Sequence, residues 1–173
     1  MSTKLKKIAV FVDVQNIYYT VKQTFNGHFN YLAFWNDIKS RGEIVHAYAY
    51  AIERHDKKQK QFQQVLSDIG FEVKLKPYIQ RRDGTSKGDW DVGITIDVMT
   101  TAPLVDIIIL ASGDGDFAIL LERIKHDYPV TAEIISVRAL TADALVDAAS
   151  KYHPIDEHLI LPISVPPAAN RAP

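Results

Sequence analysis

The chain has 173 residues, 47% hydrophobic and 24% charged, which is enough for one domain with a full core. Its formal net charge of −1 supplies no global field for a polyanion, so any nucleic-acid partner has to be held locally. There is no cysteine, which excludes disulfides and thiolate ligands and leaves oxygen and imidazole for a metal.

The first apolar run, Ile8-Ala9-Val10-Phe11-Val12, is broken by Asp13, so the amino-terminal segment is a poor signal peptide. It reads instead as a strand buried on both faces, ending in Asp13-Val14-Gln15-Asn16. Ile17, Tyr18, Val21 and Phe25 follow at helical spacing, with Gly27 as the stop and Tyr18 on the packed face. Asn30 opens a second helix through Tyr31, Phe34, Trp35 and Ile38, ending near Gly42. Ile44 to Ile52 reads as a strand. Asp56 caps a helix carrying Phe62, Val65, Leu66 and Ile69, which Gly70 ends.

Residues 71–79 alternate apolar and charged side chains, and Pro77 argues for an edge position or the end of pairing. A polar loop, 80–88, leads to a helix that starts at Asp89 or Asp91 and is barred by Pro103. The strand at 106–111 ends in Ser112-Gly113-Asp114-Gly115-Asp116-Phe117. A helix through Leu120, Leu121 and Ile124, a strand at 131–137 and a helix capped by Thr141 complete the pattern. The expectation is one domain over 1–160 and a Pro-rich, disordered tail over 161–173. The fold expected is a three-layer α/β/α sandwich on a mainly parallel sheet of about five strands.

In such a sheet every strand-to-helix loop emerges on one edge, where ligands bind. Residues 13–16, 53–56, 80–91, 112–116 and 138–141 therefore converge. Asp13, Asp91, Asp114 and Asp116 meet there, and two carboxylates ~4 Å apart repel by roughly 4 kcal/mol at an effective dielectric of 20. A site of that kind needs protons or cations, and all-oxygen ligands favour Mg²⁺ or Mn²⁺. A divalent ion there can bind a phosphate oxygen and activate a water, which implies phosphodiester hydrolysis. Plainer roles remain open: Asp13 and Asp116 as helix caps, Asn16 as a turn former, and Asp91 as an acid offsetting the helix dipole. Asp97 is rotated off the Asp91 face and suits a solvated or supporting role.

Asp13-x-x-Asn16, Lys87-Gly88-Asp89-Trp90-Asp91-Val92 and Ser112-Gly113-Asp114-Gly115-Asp116-Phe117 together resemble the NYN domain family. More closely, they resemble its LabA-like branch within the PIN-like nuclease superfamily, over about residues 5–155. The resemblance implies a Rossmann-like fold and a divalent-metal-dependent ribonuclease site. Asp13, Asp91, Asp114 and Asp116 would serve as catalytic metal ligands, with Asn16, Lys87, Ser112 and Asp97 in support. The family often has Lys-Gly-x-Asp, whereas Lys87 lies two residues before Asp89 and four before Asp91. Asp91 is the preferred ligand because Val92, Ile96 and Met99 would then continue the helix inward.

Arg81, Arg82 and Lys87 could bind phosphates of single-stranded or structured RNA, as could Arg54, His55, Lys57 and Lys58. Lys57, Lys58 and Lys60 also fit a solvated helix face. Tyr19 or Tyr18 could stack on a base. His46, His126, His153 and His158 show no ligand spacing. A catalytically weak RNA-binding or regulatory protein is the alternative. A haloacid-dehalogenase-type phosphatase is disfavoured by Gln15, where that family has a second Asp. No segment reaches the ~18 uninterrupted apolar residues of a membrane span, so the expected location is the cytoplasm. Monomer and homodimer both stay open.

Overall fold

The computed structural model describes residues 4–77, 79–80, 86–87 and 89–163. In chain order, β1 (Lys7–Asp13) leads to α1 (Val14–Phe25), β2 (Gly27–Phe29) and α2 (Tyr31–Lys39). β3 (Glu43–Glu53), α3 (Lys57–Ile69) and β4 (Glu72–Pro77) follow, then the short strands β5 (Ile79–Gln80) and β6 (Ser86–Lys87). α4 (Asp91–Thr101) precedes β7 (Ile107–Ala111), α5 (Ala118–Asp127) and β8 (Thr131–Ser136). α6 (Asp143–Ala148), β9 (Lys151–Pro154) and β10 (Ile160–Pro162) complete the fold.

The central sheet runs β4-β3-β1-β7-β8-β9, and all its neighbours pair in parallel. Its six strands exceed the five expected. The extra one, β9, is only Lys-Tyr-His-Pro, too short and polar to register as an apolar run. β2 and β10 form a separate antiparallel pair, and so do β5 and β6.

β1 divides the core by strand alternation. Ile8, Val10 and Val12 pack with Ile17 and Val21 of α1, Phe34 and Ile38 of α2, and Leu66 of α3. Ala9 and Phe11 face the opposite side, with Ile94 and Val98 of α4, Leu120, Leu121 and Ile124 of α5, and Leu145 of α6. The three layers expected from the sequence are these two helix layers and the sheet between them.

Several local expectations hold. Asn30 caps α2 by accepting from the Ala33 N–H at 3.1 Å, and Asp56 caps α3 through Gln59 at 2.9 Å. Gly70, at φ 137°, ends α3 in a conformation side chains rarely adopt. Others are corrected. Asn26, at φ 49° and ψ 47°, ends α1 in place of Gly27, which pairs with Pro162 between β2 and β10. Asparagine tolerates the left-handed region, so no glycine is needed there. Thr141 does not cap α6. Its hydroxyl donates to the Val137 carbonyl at 2.6 Å and meets the Ser136 hydroxyl, holding the turn that follows β8. Tyr18 lies on the exposed side of α1, 42% accessible beside Tyr19, because Val14, Ile17 and Val21 form the buried stripe.

The four histidines singled out from the sequence bond within the domain. His153 Nε2 lies 2.6 Å from a carboxylate oxygen of Glu133, which is buried and also accepts from Arg41 Nη2 at 2.8 and 2.9 Å. Burial works to raise the Glu133 pKa, but Arg41 and His153 outweigh it and hold the carboxyl below its usual range. His158 bonds Asp37, His126 bonds Asp127, and His46 meets the Tyr48 hydroxyl. Lys57, Lys58 and Lys60 are exposed on α3, as a solvated face requires. Among the described residues no helix is long and apolar enough to cross a membrane.

Candidate metal centre

The sheet order places the site. From β1 the chain moves outward through β3 to β4, then returns across the sheet to β7 on the other side of β1. The β1 loop leads to a helix on one face and the β7 loop to a helix on the other. Their divergence opens a crevice at the carboxyl ends of β1 and β7, the switch point of the topology. Asp13 ends β1, and Ser112 to Asp116 follow β7.

Two side chains tie these loops together. Asn16 Oδ1 accepts the Gly113 N–H at 2.9 Å, and the buried Ser112 hydroxyl donates to Asp13 Oδ2 at 3.1 Å. The Ser112 Oγ in turn accepts the Asp114 N–H at 3.2 Å. Gly113 has to be small, since a Cβ there would meet the Thr141 hydroxyl at 2.9 Å and the Leu140 carbonyl at 3.1 Å. Asn16→Ala strands the Gly113 N–H and should cost about 1–3 kcal/mol, readable as a lower midpoint in urea unfolding.

Asp13 caps α1 by accepting from the Asn16 N–H at 3.4 Å. Capping at the next turn falls to Asp114, which accepts from the Asp116 N–H at 2.9 Å, so Asp116 occupies the first turn and is exposed. The third contributor is α4. Ile94, Val98 and Thr101 form its buried stripe, with Asp91 one turn earlier on the same side. Val92 and Ile96 are 70% and 59% exposed, so the inward continuation expected of them is wrong. Asp91 still faces the crevice, because spacings of three and four residues put it in line with Ile94 and Val98.

Carboxylate oxygens of Asp91, Asp114 and Asp116 lie within 4.8 Å of one another. Asp13 lies beside them. Burial first, then repulsion from Asp114 and Asp89, pushes its pKa up to about 6 against the bonds from Asn16 and Ser112. Asp91 is pushed up to about 7 by burial, by repulsion from Asp114 and Asp89, and by a side-chain hydrogen bond with Asp114. Asp89 lies outside this trio and serves as a local cap, its Oδ1 accepting the Asp91 N–H at 3.2 Å. An all-oxygen set of crowded carboxylates fits a hard divalent cation.

Asp97 is not at this centre. Its Oδ2 accepts from the Tyr50 hydroxyl and from Lys74, each at 2.7 Å. Arg81 and Arg82 lie outside the described residues, as does the side chain of Lys87. Trp90 was not anticipated. Its Nε1–H donates to the Ala51 carbonyl at 2.8 Å, and its ring covers Gly93, where a Cβ would approach ring atoms to 2.6 Å. It thereby pins the start of α4 to β3. Only the Trp-x-x-Gly spacing could have signalled this. Gly93→Ala should displace the ring and cost about 1–3 kcal/mol by overpacking, with a blue-to-red change in tryptophan emission as the readout.

The fold and site together define an open α/β domain with a carboxylate crevice at its switch point. The chain belongs to the NYN domain family, whose model matches residues 7–156, and the NYN domain is nuclease-like. It is 30% identical over 167 residues to the low amplitude and bright protein LabA of Synechococcus elongatus, covering 88% of this chain and 85% of that protein. A solved structure of a Vibrio parahaemolyticus protein of unknown function is similar at TM-score 0.88 and 49% identity, covering 93% of this chain and 99% of that one. The resemblance read from the three motifs is borne out.

Proposed function

We propose that this NYN domain is a cytoplasmic, divalent-metal-dependent ribonuclease that hydrolyses phosphodiester bonds of single-stranded or structured RNA. One observation carries the reading: Asp91, Asp114 and Asp116, from two separate segments, bring oxygens within 4.8 Å of one another. Membership of a nuclease-like family supports it.

In this reading Asp91, Asp114 and Asp116 hold Mg²⁺ or Mn²⁺, with Asp13 as a fourth carboxylate on the β1 side. When bound, the ion supplies Lewis acidity toward a phosphate oxygen and lowers the pKa of water. The protein's own part is positioning. Asn16 and Ser112 lock the β1 and β7 loops so that Asp13 and Asp114 keep their separation. Trp90 sets the approach of Asp91. Arg81, Arg82 and Lys87 are assigned to phosphates flanking the scissile bond, and Asp97 supports the site by holding Tyr50 and Lys74.

The test is a gel assay of labelled RNA with purified protein in Mg²⁺ or Mn²⁺. Cleavage that stops on chelation is expected. If RNA binds but stays intact under either metal, the non-catalytic RNA-binding alternative replaces this reading.

A further inference from the structure

The geometry points to Lys76, seated on Trp90, as the residue that holds a phosphate of the bound RNA strand at the lip of the acidic crevice. The inference deepens the proposed function and rests on it. A cleft lined by carboxylates repels a phosphate chain, so an RNA strand reaching it needs cations at the rim.

β4 is one edge strand of the sheet, and its Lys74 and Lys76 reach Asp97 and Trp90 on the α4 side. Two residues apart, they differ in what they meet. The Lys74 ammonium bonds Asp97 at 2.7 Å and lies 4.3 Å from the Tyr48 ring centre, so its charge is matched inside the domain. Arg138, on the loop after β8, is likewise matched, 2.8 Å from Asp143.

Among the described residues no carboxylate pairs with Lys76. Its ammonium lies 4.5 Å from the Trp90 ring centre and donates to the Asp89 backbone carbonyl at 3.1 Å. A lysine ammonium has three donors, and hydrogen bonds among the described residues use one of them. Asp89 and Trp90 immediately precede Asp91, so the cation sits where α4 enters the metal centre. The Trp90 face and the Asp89 carbonyl fix a long side chain before substrate arrives, which lowers the ordering cost of binding. A lysine that only shielded an indole would need no position beside the crevice.

The test measures binding of a labelled 12-nucleotide single-stranded RNA by fluorescence anisotropy, in Ca²⁺, over a salt series. Four proteins are compared: wild type, Lys76→Gln, Lys76→Arg and Lys151→Gln, the last at the opposite sheet edge. Lys76→Gln should weaken binding about tenfold and reduce the slope of log K against log salt by about 0.7, the loss of one single-strand phosphate contact. Lys76→Arg should restore both, and Lys151→Gln should match wild type. A purely structural role for Lys76 would not move the salt slope. If Lys76→Gln retains the wild-type slope and affinity, or if wild type binds no RNA, the inference is overturned. Lys76-dependent binding without cleavage in Mg²⁺ or Mn²⁺ upholds the contact and overturns the nuclease reading instead.

Discussion

Asp114→Asn is expected to lower RNA hydrolysis at least about a hundredfold, since changes one shell further from a metal already cost 10–100-fold. Asparagine keeps the shape and the side-chain oxygen that accepts from the Asp116 N–H, so the turn after β7 survives. What it removes is a negative charge facing Asp91 and Asp13, both of whose pKa values Asp114 helps to raise. Losing that repulsion should stabilise the metal-free protein at pH 8 by about 1 kcal/mol, or roughly 2–4 °C in Tm for a domain of this size. The same variant should gain little Tm from Mg²⁺ or Mn²⁺. Loss of cleavage with a higher metal-free Tm identifies a charge-crowded ion site. Loss of cleavage with a lower Tm would mean that Asp114 serves the fold.

The second expectation concerns pH. Asp13 is pushed up to about 6 and Asp91 up to about 7, both above the ~4 of an unfolded aspartate. Between these values the folded chain binds more protons than the unfolded one, so stability falls as pH rises. The contribution is fully present below about pH 4 and is lost as pH climbs through 6–7. A shift of about two units at Asp13 sets an upper limit of about 3 kcal/mol, and solvent screening makes the Asp91 share smaller. Metal-free Tm should therefore fall by about 5–10 °C as pH rises from about 4 to 8. A divalent ion competes for the same oxygens and at 100 times its Kd adds about 2.7 kcal/mol, most effectively where the carboxyls have lost their protons. Thermal scans in chelator and in Mn²⁺ should coincide near pH 5 and separate by pH 8. Superimposed curves across the range would remove the ion from this site.

Much of this was legible from local pattern. The runs 8–12 and 107–111 read as doubly buried strands, and parallel topology then required their acidic ends to share an edge. Asn30, Asp56 and Gly70 announced helix boundaries through short-range chemistry that tertiary packing left intact. The failures lie where spacing is ambiguous. Tyr18 and Val21 both fit a helical face with Ile17, and only the helix's rotation against the sheet left Tyr18 outside. Val92 and Ile96 are apolar in a helix that is apolar on nearly every side, so composition could not orient α4. β9 pairs with β8 although its four residues carry no apolar run, because its backbone completes an edge the sheet already offers.

By itself the sequence determined the parallel α/β class and the family, because these depend on periodicity and residue type along the chain. Only the tertiary structure decided that Asp91 and not Asp89 groups with Asp114 and Asp116, that Asp97 is bound to Lys74 and Tyr50, and that Lys76 lies on Trp90 beside the Asp89 carbonyl. Each of these turns on the rotation of α4 about its own axis and its distance from β3 and β4. Contacts between segments far apart in sequence set that rotation, above all Trp90 on Ala51 and Ile94 and Val98 in the core.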